Sequence, residues 1–463
     1  MKKQVWSTMM VAVIASLVLA ACAGPAPAPV AEAPAATKAP AATEAPAVTE
    51  APAVTLAQET VELTYWSMWN AEELQAKAIM ESIAEYEAAN PNIKITVVWN
   101  GRQNQTMLRQ AINAGTKVDF MDQDADQVSG GMVAAGLGLE LNDWLAATTD
   151  LDGKTPISDI FAPGTLHMFD KEGKTYLVPY IYNTALFFYN KDLYKQAGVS
   201  EPTTWDEFLA NCETLASGGI IPMTLEPDHR GFFGFWLAYE MARLKGAGWM
   251  YQAAFDDTGE MWKDPAVLQA ATMFQEFWTR GCLIEKNKGW RYPEGHGTII
   301  SEETAGILTG SWLPGSLIGS VRDDFRWGAY NIPPVEGGEG DPSELMALVL
   351  SYMVLKDSAH PNESLEFIRF MVSEAQQKKM VEVAGVGVTR LGIDWPEAIQ
   401  GAQLAAENAT ALFAEGDGVA AANAEYWINV LRDPWVEMAL GQTTPEAWRD
   451  RLLEATVEFW KNN

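Results

Sequence analysis

Residues 61–67 (Val-Glu-Leu-Thr-Tyr-Trp-Ser) alternate apolar and polar positions, the period of a half-buried strand. Leu74, Ile79, Ile83 and Tyr86 then recur near helical spacing, and Asn90-Pro91 ends that helix. Ile93, Ile95 and Val97 alternate again, residues 106–114 predict a short helix stopped by Gly115, and 118–121 (Val-Asp-Phe-Met) reads as a buried strand. Further on, Thr204-Trp205-Asp206-Glu207 is a capping box for a helix reaching about Ala216. Asp264-Pro265 opens another helix, with Val267, Ala271, Phe274 and Trp278 on one face and Gly281 as its stop. Repeated strand–helix units imply α/β sheets covered by helices on both faces.

The N-terminus breaks this pattern. Lys2 and Lys3 precede an uncharged apolar run, Met9 to Ala20, too short for a mature spanning helix and laid out as a secretory signal. It ends in Leu19-Ala20-Ala21-Cys22, where small residues before a cysteine suit a lipoprotein signal peptidase. Residues 1–21 are therefore expected to be removed and Cys22 lipidated, anchoring the chain to the outer face of the cell membrane. Residues 22–56 repeat Ala-Pro-Ala-Ala/Val-Thr-Lys/Glu units. Proline every sixth residue blocks helices and ladders, and nothing bulky is present to bury. This segment is a tether, able to extend about 100 Å at ~3.1 Å per residue.

Roughly 400 residues follow, enough for two domains with their own cores. Net charge is −29, and loss of Lys2 and Lys3 with the leader takes it to −31, which argues against nucleic acid and anionic lipid surfaces as partners. Beyond Cys22 there are two cysteines, Cys212 and Cys282; an oxidising compartment permits their pairing, and sequence leaves it open. The four histidines, His167, His229, His296 and His360, lie far apart, and no HExxH, CxxC, phosphate loop or GxSxG motif occurs. No metal, cofactor or catalytic residue is assigned. A paired-carboxylate hydrolase stays open because sequence spacing does not fix spatial spacing.

From about residue 60 onward the chain resembles the extracellular solute-binding proteins of carbohydrate ABC importers, the group that includes maltose-binding protein. The resemblance rests on 178–222, above all YNKDLYKQAG followed by PTTWDEF. YWSMWN (65–70), EYEAANPNIKITV (85–97), AGILTGSW (305–312), YNIPPVEGG (330–338) and FIRFMVSEAQQ (367–377) support it, all in the family's order. It implies a two-lobed periplasmic-binding-protein-like fold, two α/β domains joined by crossing strands, with a ligand held between them and no catalysis.

Sugars present C–H faces that aromatic rings cover and hydroxyl rims that carboxylates and amides meet. Candidates among the 18 tryptophans are Trp66 and Trp69, followed by Asn70, at the end of the first strand, and Trp236 after a Gly/Phe-rich turn. Ser311-Trp312 lies where small residues let a backbone approach a ligand. For Trp312, and for Tyr426-Trp427 on a late helix-like segment, the family position favours sugar stacking. Trp205, Trp278, Trp448 and Trp460 fit helical faces and are assigned to packing. The resemblance also implies hydroxyl acceptors in the acidic loop Asp122–Asp126, with Asp124 or Asp126 fitting best, and Glu226 in a matching place of the second lobe. The acidic loop departs from the more apolar or aromatic one of maltose-binding protein, which leaves the sugar's identity open.

Crossings between lobes are expected near Pro179–Phe188, Leu345–Leu355 and residues 400–410. Lobe 1 would comprise 57–182 plus 356–405, and lobe 2 would comprise 183–355 plus 406–463. The expected protein is a monomer that closes about a hinge on a sugar or oligosaccharide and delivers it to the transmembrane subunits of an ABC permease. Two other readings are a cationic solute, such as a polyamine or peptide, in the same fold, and a secreted glycoside hydrolase.

Overall fold

The computed structural model describes residues 60–463; the expected signal (1–21), Cys22 and the tether (22–56) lie outside the described residues. Nine strands occur among them: β1 (Val61–Ser67), β2 (Ile93–Trp99), β3 (Phe120–Asp124), β4 (Val178–Asn190), β5 (Ile221–Met223), β6 (Thr304–Gly310), β7 (Trp327–Tyr330), β8 (Leu345–Val354) and β9 (Leu412–Phe413). They run in the order β2-β1-β3-β8-β4-β6-β5, with β7 also on β4 and β9 on β8.

The long strand β4 divides the sheet into two halves. Its residues from Val178 to Thr184 pair with β8, while Ala185 to Asn190 pair with β6 and β7. The change of partner falls between Thr184 and Ala185. In turn, β8 pairs with β9 at Leu345 and Met346, with β4 in its middle and with β3 towards its end. Every residue of β4 is buried, as expected for a mostly apolar and aromatic strand covered on both faces, with Asn183-Thr184 interrupting the run where the partner changes.

Local signals account for the elements. Thr64 and Trp66 face away from Leu63 and Tyr65, which are wholly buried. The first helix spans Leu74–Ala89 and stops at Asn90, whose side chain donates back to the Tyr86 carbonyl at 2.9 Å. Helix Trp205–Ser217 begins as expected, with Thr204 Oγ1 accepting the Glu207 N–H at 3.2 Å. The reciprocal arm differs: Glu207 accepts the Thr203 N–H at 2.7 Å, one residue further out. Asp264 caps helix Pro265–Thr279, and Gly281 follows with φ of 70°, left-handed backbone that glycine tolerates best.

Each half has its own aromatic core. In the first, Tyr65 stacks on Phe120 at 4.6 Å and Tyr180 on Tyr352 at 4.3 Å. In the second, Trp205, Phe208, Trp236 and Phe277 interlock. Cys212 and Cys282, whose pairing sequence left open, form a disulfide with a Cα separation of 4.8 Å. It ties helix Trp205–Ser217 to the turn after helix Pro265–Thr279.

Candidate functional site

The carboxyl end of β3 carries the acidic run, and its three aspartates have separate fates. Asp122 points into the first core. Its carboxylate accepts the Met68 N–H at 3.2 Å and the Tyr180 hydroxyl at 2.5 Å, and that hydroxyl accepts the Trp69 indole N–H at 2.9 Å. Burial raises the Asp122 pKa, and these donors oppose the rise. Asp122 thus fixes the loop after β1.

Asp124 is the last residue of β3 and Asp126 lies two residues beyond it, both only half-buried. Glu415, from the turn after β9, joins them. Each of the three carboxyls is pushed up to about 7, by burial first and then by a neighbouring acid: Asp126 acts on Asp124, Glu415 on Asp126, and Asp124 on Glu415. Arg102 and Arg432 pull the other way, Arg102 while held by Glu73 and Arg432 with only its Nε committed, to Asp433. Arg102 forms a two-pronged pair with Glu73 at 2.7 and 2.9 Å, and Arg432 Nε donates to Asp433 at 3.0 Å. The recess therefore holds carboxyls in excess of free cations. Gln127 spans its edge, donating to Asp124 at 3.4 Å and accepting from Gln123 at 3.0 Å.

Trp427 sits beside Glu415 and offsets part of its pKa rise. It departs from the expected stacking role: it is 3% exposed, and its ring is clamped between two glycines, where a Cβ on Gly416 or Gly234 would stand 2.8 or 2.7 Å from ring atoms. Trp312 keeps part of its surface, and its ring lies over Gly310, where a Cβ would come within 2.0 Å. Trp66 is half-buried, and Asn70 is exposed, its N–H donating to Glu73 at 2.6 Å.

The other predicted positions depart from expectation. Trp236 has 0% of its surface exposed, because helix Arg230–Lys245 is buried nearly all round and drives its indole into the second core. Tyr426 is likewise sealed, stacked on Trp460 with its hydroxyl 2.6 Å from Thr456 Oγ1. Trp69 spends its N–H on Tyr180 and lies under the Arg102 guanidinium at 4.8 Å. Ser311 is a joint of the crossing strand: its hydroxyl accepts the Thr184 N–H and donates to Asn183, both at 3.2 Å. Glu226 is fully buried against His296, whose Nδ1 stands 3.0 Å from Oε2 and whose backbone N–H donates to Oε1 at 3.2 Å.

Glu415 was not singled out from sequence. The available signal was Glu415-Gly416-Asp417-Gly418, acids alternating with glycines directly after a short strand. Among the described residues no His, Cys, Asp or Glu group of three is arranged to hold a metal ion. No helix among them is long and apolar enough to cross a membrane.

Residues 70–378 match the family described as bacterial extracellular solute-binding proteins. The arabinooligosaccharide-binding protein of Bacillus subtilis is 25% identical over 334 residues, covering 70% of this chain and 72% of that one. The sn-glycerol-3-phosphate-binding periplasmic protein UgpB of Agrobacterium fabrum is 24% identical over 334 residues, 68% and 72% of the two chains. Among solved structures, RafE in complex with raffinose superposes with a TM-score of 0.68 at 18% identity, over 86% of this chain and 99% of that one; RafE is a protein of Streptococcus pneumoniae. The likeness in architecture is that of the two-lobed periplasmic-binding fold.

Proposed function

Because the chain belongs to the bacterial extracellular solute-binding proteins, we propose that it captures a sugar or oligosaccharide between two lobes and hands it to an ABC permease. The observation that carries this reading is the meeting of Asp124 and Asp126, at the end of β3, with Glu415 and Trp427 from the far side of the crossing strands. Half-buried carboxyls accept and donate at sugar hydroxyls, while Trp427, 3% exposed and held between Gly416 and Gly234, backs Glu415 from behind rather than covering a ring face. Trp312 and Trp66, each with part of its surface exposed, and exposed Asn70 are the further contacts this reading assigns to the guest. The oligosaccharide-binding relative points the same way. A glycerol phosphate guest fits poorly, since a dianion would enter a recess of three acids faced by Arg102, already paired with Glu73, and by Arg432.

In this reading lobe 1 is 57–182 plus 356–405 and lobe 2 is 183–355 plus 406–463. A guest touching both favours the closed arrangement by its differential affinity. The chain binds without catalysis, acts as a monomer outside the cytoplasm, and is held at the membrane by a lipid on Cys22 through the 22–56 tether. A thermal-shift screen with mono- and oligosaccharides tests it: a binding sugar raises Tm by linkage, and a flat response across the panel opposes the reading.

The excess of carboxyls favours one second reading, a cationic solute such as a polyamine. In the same screen spermidine or a basic peptide would raise Tm and sugars would not.

A further inference from the structure

A second concave space borders the recess. It has a volume of about 790 Å³ and is lined from one side by Ser129 and the 168–171 turn, and from the other by residues 247–255 and 411–422. The recess and this space share two chain segments: Ser129, in the lining, follows Asp126 by three residues, and Asp417, in the lining, follows Glu415 by two.

The lining is unusual for unused surface. Tyr251 and Phe255 are 41% and 37% exposed, and their rings pack together at 4.7 Å with Phe255 backed by Trp460 at 5.3 Å. Lys171 faces them unpaired among the described residues, and burial lowers its pKa. The floor is held by Asp417, a non-glycine residue at φ 56° between Gly416 and Gly418, also left-handed. Its carboxylate accepts backbone N–H groups of Gly248 at 2.7 Å, Met250 at 3.0 Å and Tyr251 at 3.2 Å. A strained turn held by three hydrogen bonds to the helix bearing the exposed aromatics is a positioned element rather than a slack loop.

We propose that Tyr251, Phe255 and Lys171 form a second carbohydrate subsite contiguous with the Asp124–Asp126–Glu415 recess, so that the preferred guest is an oligosaccharide long enough to fill both. This rests on the carbohydrate reading of the recess. A volume of 790 Å³ beside the recess exceeds the needs of a single ring. Exposed aromatics suit sugar C–H faces, and an ammonium donates to hydroxyls and ring oxygens without selecting one linkage.

The test is calorimetric titration of the full chain with linear xylo-, arabino-, malto- and chito-oligosaccharides of one to six units. Wild type is compared with the Tyr251→Ala/Phe255→Ala double variant, Lys171→Ala and Asp126→Asn. All four are checked by circular dichroism. In the series that binds, wild-type affinity should climb with length and then level off. The double variant should lose about tenfold on the longest members, ~1.4 kcal/mol, and stay within about twofold on the shortest. Lys171→Ala should show a smaller loss with the same length dependence. Affinity independent of length, or an unchanged response of the long members in the double variant, overturns the subsite; Asp126→Asn then still reports on the recess. If no series binds wild type, the carbohydrate reading fails and the subsite with it.

Discussion

Gly130 and Ala421 meet so closely that a Cβ on Gly130 would stand 2.3 Å from the Ala421 carbonyl oxygen. Gly130 lies just beyond the acidic loop of β3, and Ala421 lies on the segment carrying Glu415, so this contact closes the seam beside the recess. The obstructing atom is backbone and cannot swing aside. Gly130→Ala should therefore disfavour the closed form and weaken ligand binding about tenfold, with little change in Tm of the free protein. Gly231→Ala, where a Cβ meets nothing within 4 Å, is the control and should bind normally. Calorimetry on both variants checks this.

The recess should also titrate near neutrality. Asp124, Asp126 and Glu415 each have a folded pKa of about 7, above the ordinary carboxylate range. Their contribution to stability is fully present below about pH 4 and is lost as pH rises through 7, because the unfolded chain ionises first. A neutral sugar should then raise Tm at both pH 5.5 and pH 8.5. A cationic solute should bind more tightly at pH 8.5, where the carboxyls are charged. Ligand-induced Tm shifts at the two pH values separate these outcomes.

Glu240 gives a second pH signature away from the recess. It is fully buried in helix Arg230–Lys245, and neither carboxyl oxygen has a hydrogen-bond partner. Burial, with Glu276 adding to it, holds its pKa well above the usual value, so it is neutral in the folded chain. Stability should fall as pH rises above about 4.3, by up to ~1.4 kcal/mol per pH unit from this group. Glu240→Gln should remove that slope. Urea unfolding from pH 4 to pH 8 measures it.

The Cys212–Cys282 disulfide closes a span of 70 residues within the second half of the sheet. Replacing both cysteines by serine should cost roughly 2–4 kcal/mol, seen as a lower denaturation midpoint. Sugar affinity should be unchanged, because neither cysteine borders the recess.

Much of this architecture was legible in the residues. The alternation over Val61–Ser67, the Asn90-Pro91 stop and the Asp264 cap each act through a few neighbours, so local pattern suffices. The tryptophans were less legible. Trp236, after a Gly/Phe-rich turn, and Trp427, on a helix-like segment, both read as sugar-stacking candidates, yet both are buried, Trp236 in the second core and Trp427 beside Glu415. What separates them is which residues return from far along the chain, Phe187 and Phe277 in one case and Gly416 in the other. Glu226 shows the same limit, since its partner His296 is 70 residues away. Glu415 carries no local signal of its role because that role depends on Asp126, 289 residues earlier.

The central claim is that Asp126 and Glu415 hold the guest together across the seam. It is tested most directly by calorimetric titration of the Asp126→Asn/Glu415→Gln variant with the sugar that most raises the wild-type Tm, at pH 8. Relieving the repulsion between these acids should raise the free variant's Tm, while affinity falls about tenfold or more. Unchanged affinity in that folded variant would contradict the account.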